Sequence, residues 1–287
     1  MMISEYYQQN TPRMSCEIFP PKEFAKLEDA KAVVDGLSEI QPAYISVTYG
    51  AAGKTPQFTR EMSQYVQEKG IPALSHLTCI NSSISHVDDV LDSFAAAGVR
   101  NVLALRGDIP EGGTFPEEDH FQYANELITA IKKRGGFCVG AACYPEGHPE
   151  APSRDIDLDN LRRKQDAGAD FFTTQMFFDN NILYQFLYRA MKKGITLPIS
   201  AGIMPVVRAR QIKRSTAMCG ATLPPRFAAI IDRFGGDDLS MEKAGIAYAT
   251  EQIIDLIANG VNHIHLYTMN RPDVAKAIYR NLEGIIK

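Results

Sequence analysis

The chain has 287 residues, of which 45% are hydrophobic and 22% charged, and its 30 basic and 34 acidic residues leave a net charge of -4. These are values of a globular protein that buries a large core, and the length suits a single α/β barrel. The balanced charge excludes a broad basic field. The sequence therefore predicts no nucleic acid and no membrane among its partners, and any anion site must be local.

The cysteines and the amino terminus indicate the cellular compartment in which the protein resides. No two cysteines form a CxxC pair, and three lie in apolar runs, which indicates reduced, buried thiols. The first ten residues are polar, and no stretch reaches the roughly 20 apolar residues of a membrane span. We therefore expect a soluble cytoplasmic protein. The five cysteines are Cys16, Cys79, Cys138, Cys143 and Cys219.

Short apolar runs alternate with longer amphipathic ones along the whole chain. Eight of the short runs have the length and composition of buried strands. The predicted strands are Met14 to Phe19, Tyr44 to Thr48, Ala73 to Leu77, Val102 to Leu105, Phe137 to Ala142, Phe171 to Thr174, Ile199 to Ile203 and His263 to Leu266.

The longer runs have the period of amphipathic helices, and several of them end in glycine, which favours the left-handed backbone at a helix end. Two further helices are predicted between Arg208 and Arg233. The other predicted helices are Leu27 to Leu37, Phe58 to Lys69, Val87 to Ala97, Phe121 to Lys133, Leu158 to Ala167, Asn181 to Lys193, Met241 to Ala258 and Val274 to Ile285.

Eight strand-helix units without a linker predict a (β/α)8 TIM barrel that forms one domain over residues 1–287. Extra helices between Ile203 and His263 interrupt the alternation before the last strand, and we interpret them as an excursion within the barrel. A doubly wound sheet with a helical appendage remains an alternative, because the same alternation permits it.

The predicted fourth strand ends in a charged tip, Arg106-Gly107-Asp108. Parallel sheets and barrels bind their ligands at the carboxyl ends of the strands. A lone Arg-Gly-Asp is as compatible with a solvated loop, but other predicted strands of this chain also end in polar groups. We therefore expect the functional site around this tip.

Glu17 places a carboxyl group in the middle of the predicted first strand, on the same face as Ser15 and Phe19. A buried glutamate costs several kcal/mol unless it is paired or protonated. One interpretation is an ion pair with a neighbouring barrel residue. The other is a protonated carboxyl that acts as a general acid.

Further polar groups follow the other strands. The small residues after Thr48 imitate a phosphate-binding loop but lack its first glycine, so we interpret them as a loop that lets a planar ligand approach the backbone. His76 points to the same rim or is a core histidine. His148, in a stiff loop with two prolines, lacks further ligands at a recognisable spacing, so no metal site is predicted.

Asn160, Arg163 and Lys164 lie at helical spacing and so share one face. They suit a diphosphate or, equally, a solvated charged face. Gln175 follows the sixth strand and suits the amide edge of a heterocycle, and Arg271 follows the eighth and suits a carboxylate or phosphate. The rim as a whole favours a large planar heterocycle with anionic extensions.

The chain resembles the bacterial type of methylenetetrahydrofolate reductase over nearly its whole length. The resemblance implies a TIM barrel with a flavin, normally FAD, that transfers hydride by a ping-pong mechanism from NADH or NADPH to 5,10-methylenetetrahydrofolate, giving 5-methyltetrahydrofolate for methionine supply. It also implies a homo-oligomer. The motifs that carry the resemblance are Cys16 to Lys22, Val47 to Ala51, His76 to Cys79, Leu105 to Asp108, Tyr144 to Glu150, Thr174-Gln175 and Leu266 to Arg271.

The resemblance also implies residue roles. Glu17 corresponds to the proton donor, and Asp108 to the aspartate near the flavin and the pterin. Thr48 corresponds to a position at the nicotinamide site. The folate contacts implied are Gln175, Gln211 and Arg271. The flavin contacts implied are Tyr49, Ala51, His76, Arg106, Gly107, Ala124, Tyr144, His148, Ala151, Asp157, Asn160, Arg163 and Lys164.

Two other classes of function use the same planar pocket. One is a flavin-independent barrel enzyme, such as a lyase or a pterin-binding synthase, that employs the same acid. The other is a folate-binding module without catalytic activity. Flavin in the purified protein, bleached by NADH, separates the reductase from both.

Overall fold

The computed structural model describes residues 1–9, 11–49, 56–80, 82–109, 118–212, 216 and 220–286. Eight parallel strands close into a barrel, in which each strand pairs with the next and β1 also pairs with β8. Closure excludes the doubly wound sheet, which has two free edges. The predicted TIM barrel is confirmed.

All eight predicted strands are present, with ends that differ by at most one residue. They are β1 (Arg13–Ile18), β2 (Ile45–Val47), β3 (Ala73–Thr78), β4 (Asn101–Leu105), β5 (Cys138–Cys143), β6 (Phe171–Thr174), β7 (Ile199–Ile203) and β8 (His263–Tyr267).

Helices follow the strands on the outside of the barrel. Those described with their bounds are α1 (Ile3–Tyr6), α2 (Leu27–Ser38), α3 (Pro56–Glu68), α4 (Ile84–Ala96), α5 (Ala124–Arg134), α6 (Arg154–Asp166), α7 (Asn180–Lys192), α8 (Pro225–Phe234), α9 (Asp238–Ala258) and α10 (Pro272–Asn281).

Some helix ends differ from the prediction for local reasons. Helix α6 begins four residues before Leu158, because the side chain of Ser153 caps it by accepting a hydrogen bond from the backbone N–H of Ile156. Helix α5 begins three residues late, because Tyr123 is extended. Helix α10 ends at Asn281, well before Ile285, and Gly284 then adopts a φ of +82°.

The alternation predicted for the first strand is confirmed. Met14, Cys16 and Ile18 are buried in the main hydrophobic core between sheet and helices. Ser15 and Glu17 therefore point into the barrel. This placement puts Glu17 inside the barrel, near the carboxyl ends of the strands.

The amino terminus is not a polar tail. Helix α1 closes the end of the barrel opposite the site, with Ile3 and Tyr6 buried against Tyr44 and Phe171. The backbone N–H of Ile3 donates to Asn101 Oδ1 at 2.8 Å. Sequence reasoning missed this element, because four residues are too few to show a helical period.

The excursion before β8 packs as a satellite of the barrel, with Phe178, Met204 and Phe227 in a small core of its own. Its second predicted helix is α8. Of the first, residues 209–212 are helical and most of the remainder, with Cys219, lies outside the described residues. Among the described helices, none is long and apolar enough to cross a membrane.

Candidate functional site

A cavity of about 880 Å³ opens at the carboxyl ends of β2 to β5. It collects side chains that are far apart in sequence, because parallel strands of a barrel all end at the same rim. The predicted flavin and nicotinamide contacts that line it are Thr48, Tyr49, His76, Arg106, Gly107, Asp108, Ala124, Tyr144, His148, Ala151, Asp157, Asn160, Arg163 and Lys164. Ala51 lies outside the described residues.

Helix α6 supplies the cationic part of the cavity. Arg163 donates to Asn160 Oδ1 at 2.9 Å, and Lys164 Nζ donates to the backbone oxygen of Ala142 at 2.8 Å. Burial lowers the pKa of Lys164 below its usual value, although the nearby Asp157 opposes the shift. Neither cation forms an ion pair with a carboxylate of the described residues. The face can therefore accept an anion.

The mouth of the cavity is crossed by an ion pair between Arg106, after β4, and Glu150, after β5. Both terminal nitrogens of the Arg106 guanidinium donate hydrogen bonds to the Glu150 carboxylate, at 2.5 and 2.7 Å. This hydrogen-bonded pair raises the pKa of Arg106 and lowers that of Glu150. The fork fixes the two loops relative to each other.

Aromatic rings form part of the walls of the cavity. The rings of Tyr144 and His148 meet edge to face, with their centroids 4.6 Å apart. The buried hydroxyl of Tyr49 has no hydrogen-bond partner among the described residues. Asp108 is exposed at the edge of the same cavity. Rings, an unpartnered hydroxyl and a carboxylate suit a heterocycle with polar edges.

Glu17 lies beside this cavity, between two histidines of the barrel interior. Its Oε2 is 3.5 Å from Nε2 of His76 on β3 and 3.5 Å from Nε2 of His265 on β8. The Glu17 side chain is 11% exposed. Burial lowers the pKa of His76 to about 4, although Glu17 opposes the shift. His76 is therefore neutral at neutral pH and cannot offset a full charge on Glu17.

Each of the two histidines is held by a serine. His76 Nε2 lies 2.6 Å from Ser46 Oγ, and His265 Nδ1 lies 2.7 Å from Ser15 Oγ. Both serines and both histidines are buried. One interpretation of Glu17 was an ion pair with a neighbouring barrel residue. The groups that face its Oε2 at 3.5 Å are the two hydrogen-bonded imidazoles of His76 and His265.

The three predicted folate contacts do not line this cavity. They follow β6, β7 and β8, and each is engaged locally. Gln175 Oε1 accepts from the backbone N–H of Met176 at 2.9 Å, and Gln211 Oε1 accepts from that of Arg208 at 3.1 Å. Arg271 is ion-paired with carboxylates of α9 and α10, at 2.8 Å from Glu242 Oε2 and 2.5 Å from Asp273 Oδ2.

Several residues of the site were missed by sequence reasoning. His265 was read only as part of a strand, although a polar residue in an otherwise apolar strand is a detectable signal. Glu150 carried no role, since its partner Arg106 lies 44 residues away in the chain. The remaining lining residues that had no predicted role are Thr78, Ala104, Leu105, Ile109, Tyr123, Asn125, Glu126, Ala142 and Pro152.

Within the described part of the chain, no three His, Cys, Asp or Glu side chains are grouped so that they could hold a metal ion. His148, which was weighed as a ligand, instead has its Nδ1 accepting from the backbone N–H of Glu150 at 3.1 Å.

Comparison with known proteins agrees with the resemblance in the motifs. Solved structures show the fold: an uncharacterized protein from Clostridium thermocellum, described as binding two copies of 5-methyl-5,6,7,8-tetrahydrofolic acid, superposes with a TM-score of 0.66 at 12% identity and covers 99% of both chains.

Curated relatives are nearer in sequence. The 5,10-methylenetetrahydrofolate reductase of Pectobacterium carotovorum is 34% identical over 96% of this chain and 91% of its own length. Methylenetetrahydrofolate reductase (NADH) 1 of Arabidopsis thaliana is 34% identical over 99% of this chain but only 50% of its own length. The family model for methylenetetrahydrofolate reductase matches residues 2–283. The chain therefore belongs to the methylenetetrahydrofolate reductase family.

Proposed function

We propose that the protein is a flavin-dependent reductase that converts 5,10-methylenetetrahydrofolate to 5-methyltetrahydrofolate with NAD(P)H, in the one-carbon metabolism that supplies methionine. The observation that carries the proposal is the cavity, whose lining coincides with the flavin contacts expected from the motifs. Family membership supports the reaction, and the NADH in the name of the Arabidopsis relative supports that co-substrate.

The cavity fits a dinucleotide flavin. A planar ring needs aromatic walls and polar edges, which Tyr49, Tyr144 and His148 provide. A diphosphate needs cations without carboxylate partners, which Arg163 and Lys164 provide. This second group supports FAD rather than FMN, since FMN has a single phosphate. Bound there, the flavin would supply the hydride acceptor and donor that link the two substrates in a ping-pong sequence.

The protein's own contribution to the chemistry is a proton and a charge. Glu17, as the proposed general acid, protonates the nitrogen that leaves when the five-membered ring of the folate opens, so that the carbon becomes electrophilic. Asp108, at the cavity edge, accepts hydrogen bonds from the pterin and disfavours extra negative charge nearby. Gln175, Gln211 and Arg271 remain the proposed folate contacts.

Folate binding by these three residues requires that they exchange partners. Gln175 and Gln211 would each give up one hydrogen bond from a backbone N–H in return for a hydrogen bond to folate. This exchange costs little free energy at a solvated rim. Arg271 already satisfies two carboxylates, so a folate carboxylate would share its guanidinium with Glu242 or Asp273. A third carboxylate adds like charge, and the folate contact at Arg271 should therefore be weak.

The proposal includes a cytoplasmic location and a homo-oligomer. The four described cysteines are free and buried, which suits a reducing compartment. Light scattering of the purified protein measures the oligomeric state.

The experiment that tests the cofactor is extraction of the purified protein followed by chromatography of the released flavin. We expect FAD, and we expect NADH to bleach its absorbance in the absence of oxygen. A colourless protein that cannot be reconstituted with FAD would return the chain to the lyase or folate-binding alternatives.

The experiment that tests the acid is Glu17→Gln, followed by stopped-flow absorbance of both half-reactions. We expect flavin reduction by NADH to stay near wild type and reoxidation by methylenetetrahydrofolate to fall by about 10² to 10⁴, since only the acid is removed. Loss of both half-reactions together with stability would make Glu17 a structural residue. If neither changes, another group supplies the proton.

A further inference from the structure

We propose that Phe19 is a stacking platform for the p-aminobenzoyl ring of folate, and that Asn270 is the positioning residue that holds this platform at the rim of the barrel. Phe19 is the first residue after β1, and Asn270 lies in the loop between β8 and α10. Neither is among the described residues that line the flavin cavity. The inference rests on the proposed function, because it adds an aromatic contact to the folate site.

The backbone of Phe19 is hydrogen-bonded as if β1 continued beside β8 for one more residue. Along β1, the backbone N–H of Arg13 donates to the residue just before β8, whereas that of Cys16 donates to the residue just before β2. At Phe19 the side chain of Asn270 takes the place of the neighbouring strand. Its Oδ1 accepts from the Phe19 N–H at 2.8 Å, and its Nδ2 donates to the Phe19 backbone oxygen at 3.0 Å.

The direction of these bonds determines the side on which the Phe19 ring lies. Residues two apart in a strand direct their backbone groups to the same neighbour and their side chains to the same face. Phe19 therefore continues the face of Ser15 and Glu17, which points into the barrel. At about 3.3 Å per residue, the ring stands roughly 7 Å beyond Glu17 along the strand, at the mouth of the barrel.

The ring of Phe19 is exposed although its main chain is held in place. Its exposed fraction is 39%, so burial within the protein does not account for the rigid backbone. Pro20 and Pro21 follow and stiffen the chain further. A ring that is held but not buried offers a flat apolar surface to a ligand, and little conformational entropy is lost when a ligand stacks on it.

The loop after β8 adopts an unusual backbone that brings Asn270 to β1. Met269 and Asn270 have φ angles of +52° and +55°, and no other consecutive non-glycine residues in the described part of the chain have positive φ. Met269 packs in the small core that the excursion forms. Thr268 Oγ1 donates to the backbone oxygen of Glu17 at 2.6 Å and accepts from the Asn270 N–H at 3.2 Å. Strain that the surrounding structure holds in this way is typical of ligand sites.

The place of the platform within the site indicates which ring of folate it fits. Folate carries its pterin, its p-aminobenzoyl ring and its glutamate in a row. Asp108 is the proposed contact of the pterin, and Arg271 that of a glutamate carboxylate. Asn270, which is bonded to Phe19, is the immediate neighbour of Arg271 in the chain. The ring next to the glutamate is the p-aminobenzoyl ring, and it is therefore the ring that reaches Phe19.

A fluorescent side chain tests the contact directly. The chain contains no tryptophan, so Phe19→Trp places a single indole at the platform. We expect p-aminobenzoylglutamate, the part of folate without the pterin, to quench this fluorescence saturably in the protein as purified. The matched control is Tyr188→Trp, which replaces an exposed aromatic residue in the second half of α7, away from the rim. Identical titrations of the two variants would overturn the platform.

Two further replacements of Phe19 separate stacking from apolar volume. Phe19→Tyr keeps a ring, and we expect it to bind 5-methyltetrahydrofolate as wild type does. Phe19→Leu keeps an apolar side chain without a ring, and we expect the dissociation constant to rise about threefold to tenfold, since an aromatic pair contributes beyond its buried area. Equal dissociation constants for the two variants contradict stacking, also where Phe19→Trp does not fold.

Asn270→Gly tests the positioning role. Glycine adopts positive φ readily, so the variant loses the two hydrogen bonds to Phe19 without added strain. We expect the fluorescence anisotropy of Phe19→Trp to decay faster when Asn270→Gly is added, and p-aminobenzoylglutamate to bind several-fold more weakly. Gln41→Gly is the matched control, because Gln41 also has positive φ, at +44°, and lies in the loop before β2. An anisotropy decay that only the control changes, or that neither changes, would overturn the role of Asn270.

Failure of the platform and failure of the proposed function give different results. Quenching of Phe19→Trp in a protein without NADH-reducible flavin would support the platform in a folate-binding module and contradict the reductase. NADH-reducible flavin without quenching would support the reductase and contradict the platform.

Discussion

Glu17 and Asp108 are the two carboxyl groups proposed to be catalytic, and they lie in different surroundings. Glu17 is 11% exposed and contacts two imidazoles, whereas Asp108 is exposed at the rim of the cavity. The proposed acid is therefore enclosed by two imidazoles, whereas the proposed fixed charge lies at the solvated rim.

Asp108→Asn tests the fixed charge. The substitution keeps the shape of the side chain and removes a negative charge beside the proposed flavin, so the reduction potential should rise. Folate binding should weaken about tenfold, since a charge-assisted hydrogen bond is lost. Redox titration and folate binding measure the two effects. An unchanged potential would mean that Asp108 is not near the flavin ring.

At the scale of the elements, α6 carries the anion-binding face of the cavity. Lys164 is partly buried and bonded to the backbone of β5, whereas Arg163 is exposed and bonded to Asn160. A partly buried charge interacts more strongly with an anion than an exposed one does. The two cations of this face should therefore contribute unequally.

Lys164→Ala should weaken FAD binding by about 2 kcal/mol and Arg163→Ala by about 1 kcal/mol, because solvent screens the exposed guanidinium. Titration of FAD into apoprotein measures both. Arg162→Ala, one residue away but ion-paired to Asp166, is the control and should bind FAD as wild type does. Equal dissociation constants for all four proteins would make this a solvated charged face.

Helix α9 packs closely on the chain after β7. A Cβ atom on Gly245 would overlap the backbone oxygen of Val206, whereas one on Gly236 would meet nothing within 4 Å. Because a backbone atom cannot move aside as a side chain can, Gly245→Ala should destabilise the protein by about 3 kcal/mol. Urea unfolding measures this. Gly236→Ala should stay within about 0.5 kcal/mol of wild type, and equal effects would refute the packing argument.

At the scale of the whole molecule, the barrel is a closed layer of strands with a largely polar interior near the site. We propose that residues 1–287 form a single catalytic domain, supported by strand pairing that runs unbroken from β1 to β8 and back. Buried histidines lower the free energy of unfolding at acidic pH. They stay neutral in the folded protein, whereas the histidines of the unfolded chain take up protons and so stabilise that state.

His263, at the amino end of β8 beside the rings of Tyr6 and Tyr7, allows the cost of a buried histidine to be measured, because burial lowers its pKa from 6.5 to about 4. Between these values the unfolded chain binds the proton and the folded protein does not, so stability is complete above pH 6.5 and falls as the pH drops toward 4. His263→Gln should reduce the loss of unfolding free energy between pH 7 and pH 5 by about 1 kcal/mol, allowing for solvent screening. Urea unfolding at both values measures it.

The matched control is His86→Gln, which replaces an exposed histidine. Its acid sensitivity should equal that of wild type. If both variants lose as much stability as wild type between pH 7 and pH 5, the acid sensitivity arises elsewhere, for instance at His76.

The amino-acid sequence alone predicts the eight strands, most of the helices and the rim residues of one cavity. A short run such as Phe171–Thr174 suits a strand covered on both faces, and parallel strands bring their carboxyl ends together whatever the separation in sequence. The family resemblance added roles to those residues, and the family itself is confirmed.

Closure of the sheet, the position of α1 at the far end of the barrel and the surroundings of Glu17 become visible only in the folded molecule. Closure places β8 beside β1, so His265 lies 3.5 Å from Glu17, which is 248 positions earlier in the chain. No local pattern encodes such a contact, because periodicity reports which face of a strand is buried but not which strand lies across the barrel. The partners of Glu17 therefore follow from the closed barrel and not from the first strand.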